Sequence, residues 1–200
     1  TGAGTLVPDT VPSHQTGAMR GFDFTPPANV NAGSTTINIK ANSYQDNVGN
    51  LGSASNTITI SYDTLAPTLV ITSSRSLVGM GQTATITFSF SEVPGSSFVW
   101  SSGAGDINVS GGTLGNISGT GLTRTATFTP TPNVASGIAN ISVLQGAYTD
   151  AAGNFGGAAL TPMPFIDESI GFNAGLLGAG QALPSLNLNR LFVLTTDNTC

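Results

Sequence analysis

The chain has 200 residues, which is enough for one or two ordinary domains with a buried core. Charged residues make up only 8% of it, but hydrophobic residues reach 39%, so the low charge does not indicate disorder. A formal charge of −5 with only five Lys and Arg excludes a basic nucleic-acid-binding surface, and 26 Gly with 11 Pro predict short strands joined by turns.

Residues 1–66 contain the patterns of later strands only. The triplet "GTL" at 4–6 returns at 112–114, in the middle of the next stretch of strands. We therefore predict a partial domain over 1–66 whose opening strands are missing. Such a half sandwich exposes an apolar face and an open sheet edge, which favours pairing with another segment.

Residues 67–167 carry a complete set of about seven strand patterns. The clearest is 83–91, where Ala84, Ile86, Phe88 and Phe90 alternate with Thr and Ser, as in a strand with one buried face. The other strands are predicted at 68–73, 107–118 (two short ones), 122–129, 139–144 and between Phe155 and Asp167. Pro162 and Pro164 predict that the last strand is an edge strand or an irregular one. The fold class is an all-β antiparallel sandwich.

The two parts are related by an internal repeat. Residues 24–63 align without a gap with 128–167, at an offset of 104 residues. "YQDNVGNL" at 44–51 thereby matches "YTDAAGNF" at 148–155, and Asp63 matches Asp167. A period near 100 residues is the size of one sandwich domain in a tandem array.

An ordered series of short strings carries a family resemblance. It runs from "DTLAPT" through "ITFSFSE" and "VSGGTL" to "ATFTPT" and "YTDAAGN". The chain thus resembles the tandem bacterial Ig-like domains of large secreted adhesins and biofilm surface proteins, over 63–167 and the latter half of a preceding copy. The resemblance breaks after Asp167, so 168–200 is a divergent tail. It implies an extracellular or cell-surface location.

A recurring acidic pair is the main candidate site. Asp63 follows Asp46 by 17 residues, and Asp167 follows Asp150 by the same number. We expect each loop aspartate to meet the aspartate at the exit of the final strand of its own copy, at two domain junctions. Calcium takes six to eight oxygen ligands, and paired carboxylates would suit it; the resemblance also implies calcium at such junctions. Asn50, Asn154 and Glu168 are weaker candidate ligands. The alternative is plain turn chemistry with solvated acids.

Catalytic chemistry is not indicated. His14 is the only histidine and has no Ser or Cys partner at a diagnostic spacing, and zinc needs more His or Cys than the chain has. Trp100 is a weak candidate for a sugar-stacking platform, with core packing the favoured interpretation. Cys200 has no partner for an internal disulfide, which leaves an inert thiol or an intermolecular link.

The segment 183–195, "LPSLNLNRLFVLT", has no counterpart in the repeat. It is a candidate donor strand that completes a partial domain, in the next subunit or in its own chain, with a plain chain end as the alternative. Donation between subunits would give a homopolymer. The favoured function is a non-catalytic stalk or fibre module whose partners are neighbouring Ig-like domains. A self-assembling filament subunit is the alternative, and a carbohydrate-binding module is less favoured.

Overall fold

The computed structural model describes residues 4–11, 19–79 and 81–166. All regular structure in this part of the chain is β-strand, as the alternating patterns predict. The first four strands are β1 (Thr5–Pro8), β2 (Phe22–Thr25), β3 (Gly33–Ile37) and β4 (Ile58–Tyr62). They form two separate antiparallel pairs, β1 with β2 and β3 with β4.

The remaining strands build a complete sandwich. They are β5 (Leu69–Ser73), β6 (Ala84–Phe90), β7 (Trp100–Ser101), β8 (Ala104–Gly105), β9 (Ile107–Ser110), β10 (Gly112–Leu114), β11 (Thr123–Pro130), β12 (Ser136–Val143) and β13 (Ala159–Ile166). One sheet has the order β10-β11-β6-β5, and the facing sheet has the order β13-β12-β9. The small β7–β8 hairpin was not predicted, because strands of two residues have no readable alternation.

The core lies between these two sheets. In β6, Ala84, Ile86, Phe88 and Phe90 are buried, which confirms the predicted alternation. Buried side chains of the same kind come from the other strands and from the segments between them: Leu69, Ile71, Val78, Phe98, Trp100, Ile107, Leu114, Ala126, Phe128, Ala139, Ile141, Val143, Tyr148, Met163 and Phe165. Because the four aromatic rings of Phe88, Phe90, Phe98 and Tyr148 contact one another largely edge to face, they fix one end of the core.

Pro162 and Pro164 lie in β13, which is an edge strand with β12 as its strand partner; on its outer side only the segment at Val78 exchanges backbone hydrogen bonds with it, at Pro164 and Ile166, among the described residues. This confirms the predicted edge position, where a missing N–H does not break a central ladder.

The gapless alignment of the two copies is wrong in its last strand. Gly33 pairs with Tyr62 in the first copy, and Gly137 pairs with Phe165 in the second. Gly33 and Gly137 are 104 residues apart, but Tyr62 and Phe165 are 103 apart. The first copy therefore has one extra residue before its last strand, so that Asp63 aligns with Ile166.

Candidate functional site

The loop between β12 and β13 is held by one aspartate. The Asp150 carboxylate accepts hydrogen bonds from the backbone N–H of Ala152 and of Asn154, both at 2.9 Å, and from the Asn154 side-chain amide at 2.8 Å. Gly153 adopts φ +92°, a left-handed conformation that favours glycine. The two backbone groups donate to Oδ1 and the side-chain amide donates to Oδ2, so Oδ2 keeps one of its two lone-pair sites free.

The loop between β3 and β4 repeats this arrangement. The Asp46 carboxylate accepts from the N–H of Val48 at 3.0 Å, from the N–H of Asn50 at 2.9 Å and from the Asn50 amide at 2.7 Å. Gly49 adopts φ +95°. The turn chemistry of the Asp-x-x-Gly-Asn motif is therefore present in both loops, as one of the two interpretations of the motif predicts.

Two further segments meet the Asp150 loop at its end of the sandwich. The turn after β6 contains Glu92, and this turn docks on the loop through the Gly95 N–H, which donates to the Thr149 carbonyl at 2.7 Å. The linker that follows β4 begins with Asp63 and passes the same end. The Tyr148 hydroxyl donates to the Pro67 carbonyl of this linker at 3.2 Å, which fixes its path.

These segments bring three carboxylates together. Among residues 4–11, 19–79 and 81–166, Asp63, Glu92 and Asp150 each offer one oxygen that lies within 4.8 Å of the other two. Asp150 is buried, with 4% of its surface exposed, and the other two are half-buried. Two ligands of one calcium ion, each at about 2.3–2.6 Å from it, lie at most about 5 Å apart. The spacing therefore fits a single shared cation.

The electrostatics of the cluster are those of uncompensated negative charge. Desolvation raises the pKa of Glu92, and the negative charges of Asp63 and Asp150 raise it further. Burial also acts to raise the pKa of Asp150, but the hydrogen bonds from Asn154, Ala152 and Gly153 outweigh it and hold that pKa below its usual value. The ionised form of Asp150 is thus stabilised by its hydrogen bonds, whereas the ionised form of Glu92 is destabilised by the neighbouring carboxylates.

Two asparagines border the cluster. The Asn154 amide, which bonds Asp150, also lies 3.3 Å from the Asp63 carbonyl oxygen. Asn31, from the segment before β3, donates to Glu92 Oε1 at 2.9 Å. The cluster therefore contacts the first part of the chain, the linker and the complete sandwich at once.

The structure groups the acids differently from the expectation. Asp46 follows β3 and Asp63 follows β4, so the two lie beyond opposite ends of one antiparallel pair, and the expected contact between them is wrong. The physical reason is general, because a hairpin loop and the exit of its second strand lie at opposite ends of the pair. Asp63 instead lies with Asp150 of the following copy.

The remaining candidate ligands divide into two groups. Asp46 and Asn50 lie outside the three-carboxylate cluster, although Asp46 has the same loop geometry as Asp150. Asp167 and Glu168 lie outside the described residues; Ile166, the last described residue, pairs with Ser136 at the end of β12 remote from the Asp150 loop. Glu92 was missed, because nothing in its sequence spacing shows that the β6 turn reaches the linker.

Trp100 does not present a stacking face. Its ring is buried in the core, with 9% of its surface exposed, and its indole N–H donates to the Gly115 carbonyl at 3.2 Å. The structure supports core packing for this residue and gives the sugar-binding interpretation no platform.

A comparison with protein-family models matches residues 63–165, just over half of the chain, to the bacterial Ig-like domain. The chain belongs to this family. The matched region begins at Asp63, so the family boundary includes the first acid of the cluster and runs almost to the end of β13. No curated protein and no solved structure matches the chain significantly.

Bacterial Ig-like domains are often parts of surface proteins, are typically extracellular and are generally structural and non-catalytic. Over the part of the chain that the structure describes, no helix has the length and apolarity to cross a membrane.

Proposed function

We propose that this chain is a non-catalytic stalk or fibre segment of a bacterial surface protein, such as an adhesin or a biofilm matrix component. Its Ig-like units follow one another in tandem, and the joint between them binds calcium through Asp63, Glu92 and Asp150, with Asn154 beside them. The observation that carries the proposal is that the linker and two loops of the following unit contribute these carboxylates to one cluster.

Tandem organisation is supported by local geometry that recurs beyond the aspartate loops. Leu6 pairs with Phe24 in the first part of the chain as Leu114 pairs with Phe128 in the second. A Cβ added to Gly33 would meet the ring of Tyr62, and one added to Gly137 would meet the ring of Phe165. Such paired constraints are those of two copies of one unit.

The donor set favours calcium over other cations. All its members are oxygen atoms, which suit hard cations, whereas zinc favours histidine nitrogen and cysteine sulfur. Magnesium demands a tight octahedral shell and keeps its waters, and calcium accepts irregular shells with carboxylates and carbonyls from flexible segments. The cluster offers three carboxylates, with the Asp63 carbonyl oxygen close by; Asn154 presents its NH2 group to Asp63 and Asp150, so it holds these acceptors and is not itself a ligand in this arrangement.

A cation in this position would act mechanically. It would bond the linker through Asp63, the β6 turn through Glu92 and the β12–β13 loop through Asp150, so the preceding segment could no longer pivot freely about the linker. Binding would also remove the repulsion that raises the pKa of Glu92. The Asn31 contact to Glu92 adds a direct restraint from the preceding part of the chain.

The test is thermal unfolding of the full chain in calcium and in chelator, with magnesium as a second cation. At a calcium concentration about tenfold above Kd, binding stabilises the native state by about 1.4 kcal/mol, which raises Tm by several degrees. Asp150→Asn should reduce the calcium-dependent rise to about a third or less, because a tenfold weaker affinity leaves about 0.4 kcal/mol at the same calcium concentration. Asp46→Asn is the matched control, because it changes the same loop motif outside the cluster, and it should leave the rise intact. An equal Tm in calcium and chelator for the unsubstituted chain would refute the calcium joint.

One observation favours a second candidate, a filament subunit joined by strand complementation. Large apolar side chains of the first part of the chain are exposed, including Leu6, Phe22 and Ile39. The candidate donor, 183–195, lies outside the described residues. A filament subunit should sediment as polymers that become monomers on deletion of 183–200, whereas a stalk segment should sediment identically with and without that deletion.

A further inference from the structure

Strands β1 to β4 are counterparts of β10 to β13, but they lack the cover that the latter have. Leu6 is 46% exposed and its counterpart Leu114 is 6% exposed. Ile39 is 54% exposed, whereas Val143, at the offset of 104, is 1% exposed. Tyr44 is 53% exposed, whereas Tyr148 is fully buried. One set of side chains is therefore in a core, and the equivalent set faces solvent.

The complete unit shows what covers this face. Strand β6 pairs with β11 from Thr123 opposite Ser89 to Phe128 opposite Ala84, and β5 pairs with the far side of β6. The linker before β5 supplies the Pro67 carbonyl that accepts from the Tyr148 hydroxyl. Strand β9 pairs with β12. The cover that the complete unit has and the first part lacks thus comes from the segment 63–111, because β12 and β13 already have counterparts in β3 and β4.

We infer that the face formed by Leu6, Phe22, Phe24, Ile39 and Tyr44 binds a segment built like residues 63–111. This segment is an acidic linker ending in proline, followed by a strand hairpin that alternates apolar residues with Thr and Ser. Its second strand pairs antiparallel with the edge of β2 that has no partner among the described strands, as β6 pairs with β11. The inference rests on the proposal that the chain is made of tandem Ig-like units, and it names the partner that the first unit requires.

The loop at the end of this face is already formed for such a partner. Asp46 and Asn50 make the same three hydrogen bonds as Asp150 and Asn154. A Cβ on Gly52 would overlap the ring of Tyr44, as one on Gly156 would overlap that of Tyr148, so the two tyrosine rings pack over their glycines alike. The Tyr44 hydroxyl is therefore in place to donate to a linker carbonyl equivalent to that of Pro67.

The segment 183–195 fits the face less well. Strand β6 directs four successive inward positions to the core: Ala84, Ile86, Phe88 and Phe90. In the frame that starts from Leu186 and Leu188, the next inward position is Arg190, followed by Phe192. A buried, unpaired guanidinium in the middle of the strand is costly. A single strand would also leave the Tyr44 hydroxyl without a linker carbonyl.

The experiment is a fusion that supplies the segment. A second copy of residues 63–111 is joined directly before Gly4 of the full chain. Gly4 is the equivalent of Gly112, because Gly4 lies against β2 as Gly112 lies against β11. Hydrogen exchange is then followed by mass spectrometry in peptides that cover 22–25 and 33–37. The exchange is measured in chelator, so a negative result would count against the proposed partner segment without bearing on calcium binding at the joint.

We expect exchange in both peptides to slow by about tenfold or more in the fusion, because these strands join a cooperative core. The matched control carries Phe88→Asp in the added copy only, and its exchange should stay at the rate of the unfused chain. Equal exchange rates in the fused and unfused chains would overturn the inference. So would slowing that the Phe88→Asp control reproduces.

Two further arms keep the inference testable. A synthetic peptide of residues 63–91, added to the unfused chain, should slow exchange at 22–25, and its Phe88→Asp version should not; failure of this peptide together with an insoluble fusion would count against the inference. Deletion of 183–200 should leave exchange at 22–25 unchanged. Faster exchange on that deletion would identify the tail as the occupant and refute the proposal.

Discussion

Gly156 and Gly52 occupy the same place in the two aspartate loops, each with a tyrosine ring against its Cα. A Cβ on either glycine would overlap that ring. The environments differ, because Tyr148 is enclosed by Phe90 and Phe98 whereas Tyr44 is more than half exposed. Glycine to alanine at these two positions therefore compares the Tyr148 ring, which is held by its neighbours, with the Tyr44 ring, which can move into solvent.

We expect Gly156→Ala to lower the free energy of unfolding by about 2–4 kcal/mol, since the overlap must displace a buried aromatic ring. Gly52→Ala, as the matched control, should cost less than about 1 kcal/mol, because Tyr44 can swing into solvent. Urea unfolding followed by far-ultraviolet circular dichroism, which reports the strands of both parts, measures both. Equal costs for the two variants would show that the Tyr148 ring is not fixed as described.

Glu92 is the acid that bears the repulsion of the cluster. Its pKa in the folded protein is raised, so its ionised form costs the folded state free energy at neutral pH. In chelator at pH 7, Glu92→Gln should therefore leave stability unchanged or raise it by a few tenths of a kcal/mol, a small gain because the group is partly solvated. In calcium the same variant should be less stable than the unsubstituted chain. A loss of stability in chelator would contradict this assignment.

The pH dependence in chelator follows from two opposite shifts. The raised pKa of Glu92 means that its stabilising, protonated form is fully present below its unfolded value of 4.5 and is lost as pH rises through the folded pKa. The lowered pKa of Asp150 means that its contribution is present above its unfolded value of 3.8 and is lost as pH falls through the folded pKa. When Tm is measured as a function of pH, Asp150→Asn should lower Tm above pH 4. It should also make the decrease of Tm below pH 4 less steep than in the unsubstituted chain. An unchanged acid limb would refute the role of Asp150 in holding the loop.

At the scale of elements, β6 is the strand on which both sheets depend. It lies between β5 and β11, and its inward residues lie against the facing sheet. We expect Phe88→Ala to lower the free energy of unfolding by about 3–5 kcal/mol, because Phe88 is fully buried and leaves a cavity. Phe155→Ala is the matched control, since Phe155 is 69% exposed, and it should change stability by less than about 1 kcal/mol. Denaturant titration measures the free energy of unfolding of both variants. A similar loss for both would contradict the central position of Phe88 in the core.

The strands that were predictable from sequence are those with an uninterrupted alternation. Ala84 to Phe90 and Thr123 to Pro130 follow a period of two, with Thr or Ser on the solvent side, so both were predicted within one or two residues. The start of β12 at Ser136 was not predicted, because Gly137 interrupts the pattern there. Gly137 is required by contact with the ring of Phe165 on the neighbouring strand, which a local pattern does not contain.

The candidate site was predictable in its residue types but not in its partners. The Asp150 loop is visible in the sequence because its turn chemistry is local. The approach of Asp63 and Glu92 depends on strand direction and on how the linker crosses the end of the sandwich, which are properties of the topology. The offset of 17 residues suggested a pairing within each copy, and the antiparallel order of the strands excludes it for Asp46 and Asp63.

At the scale of the whole molecule, the direction of the joint follows from this topology. The Asp150 loop lies at the end where the chain enters the complete sandwich, so this domain contacts the linker that precedes it. The Asn31–Glu92 hydrogen bond and the Pro67 carbonyl bond to Tyr148 lie at the same end. In the proposed tandem array the same contact would recur at each junction, and calcium binding there would stiffen the array.

The most direct test of the calcium joint is an isothermal calorimetric titration of the full chain with calcium, compared with its acid variants. We predict a calcium-binding event that Asp63→Asn, Glu92→Gln and Asp150→Asn each weaken by about tenfold or more, as expected when one of three carboxylate ligands is lost, and that Asp46→Asn leaves unchanged. The absence of calcium binding, or a binding event that all three cluster variants retain at full affinity, would contradict the proposal that these carboxylates bind a cation that holds the joint.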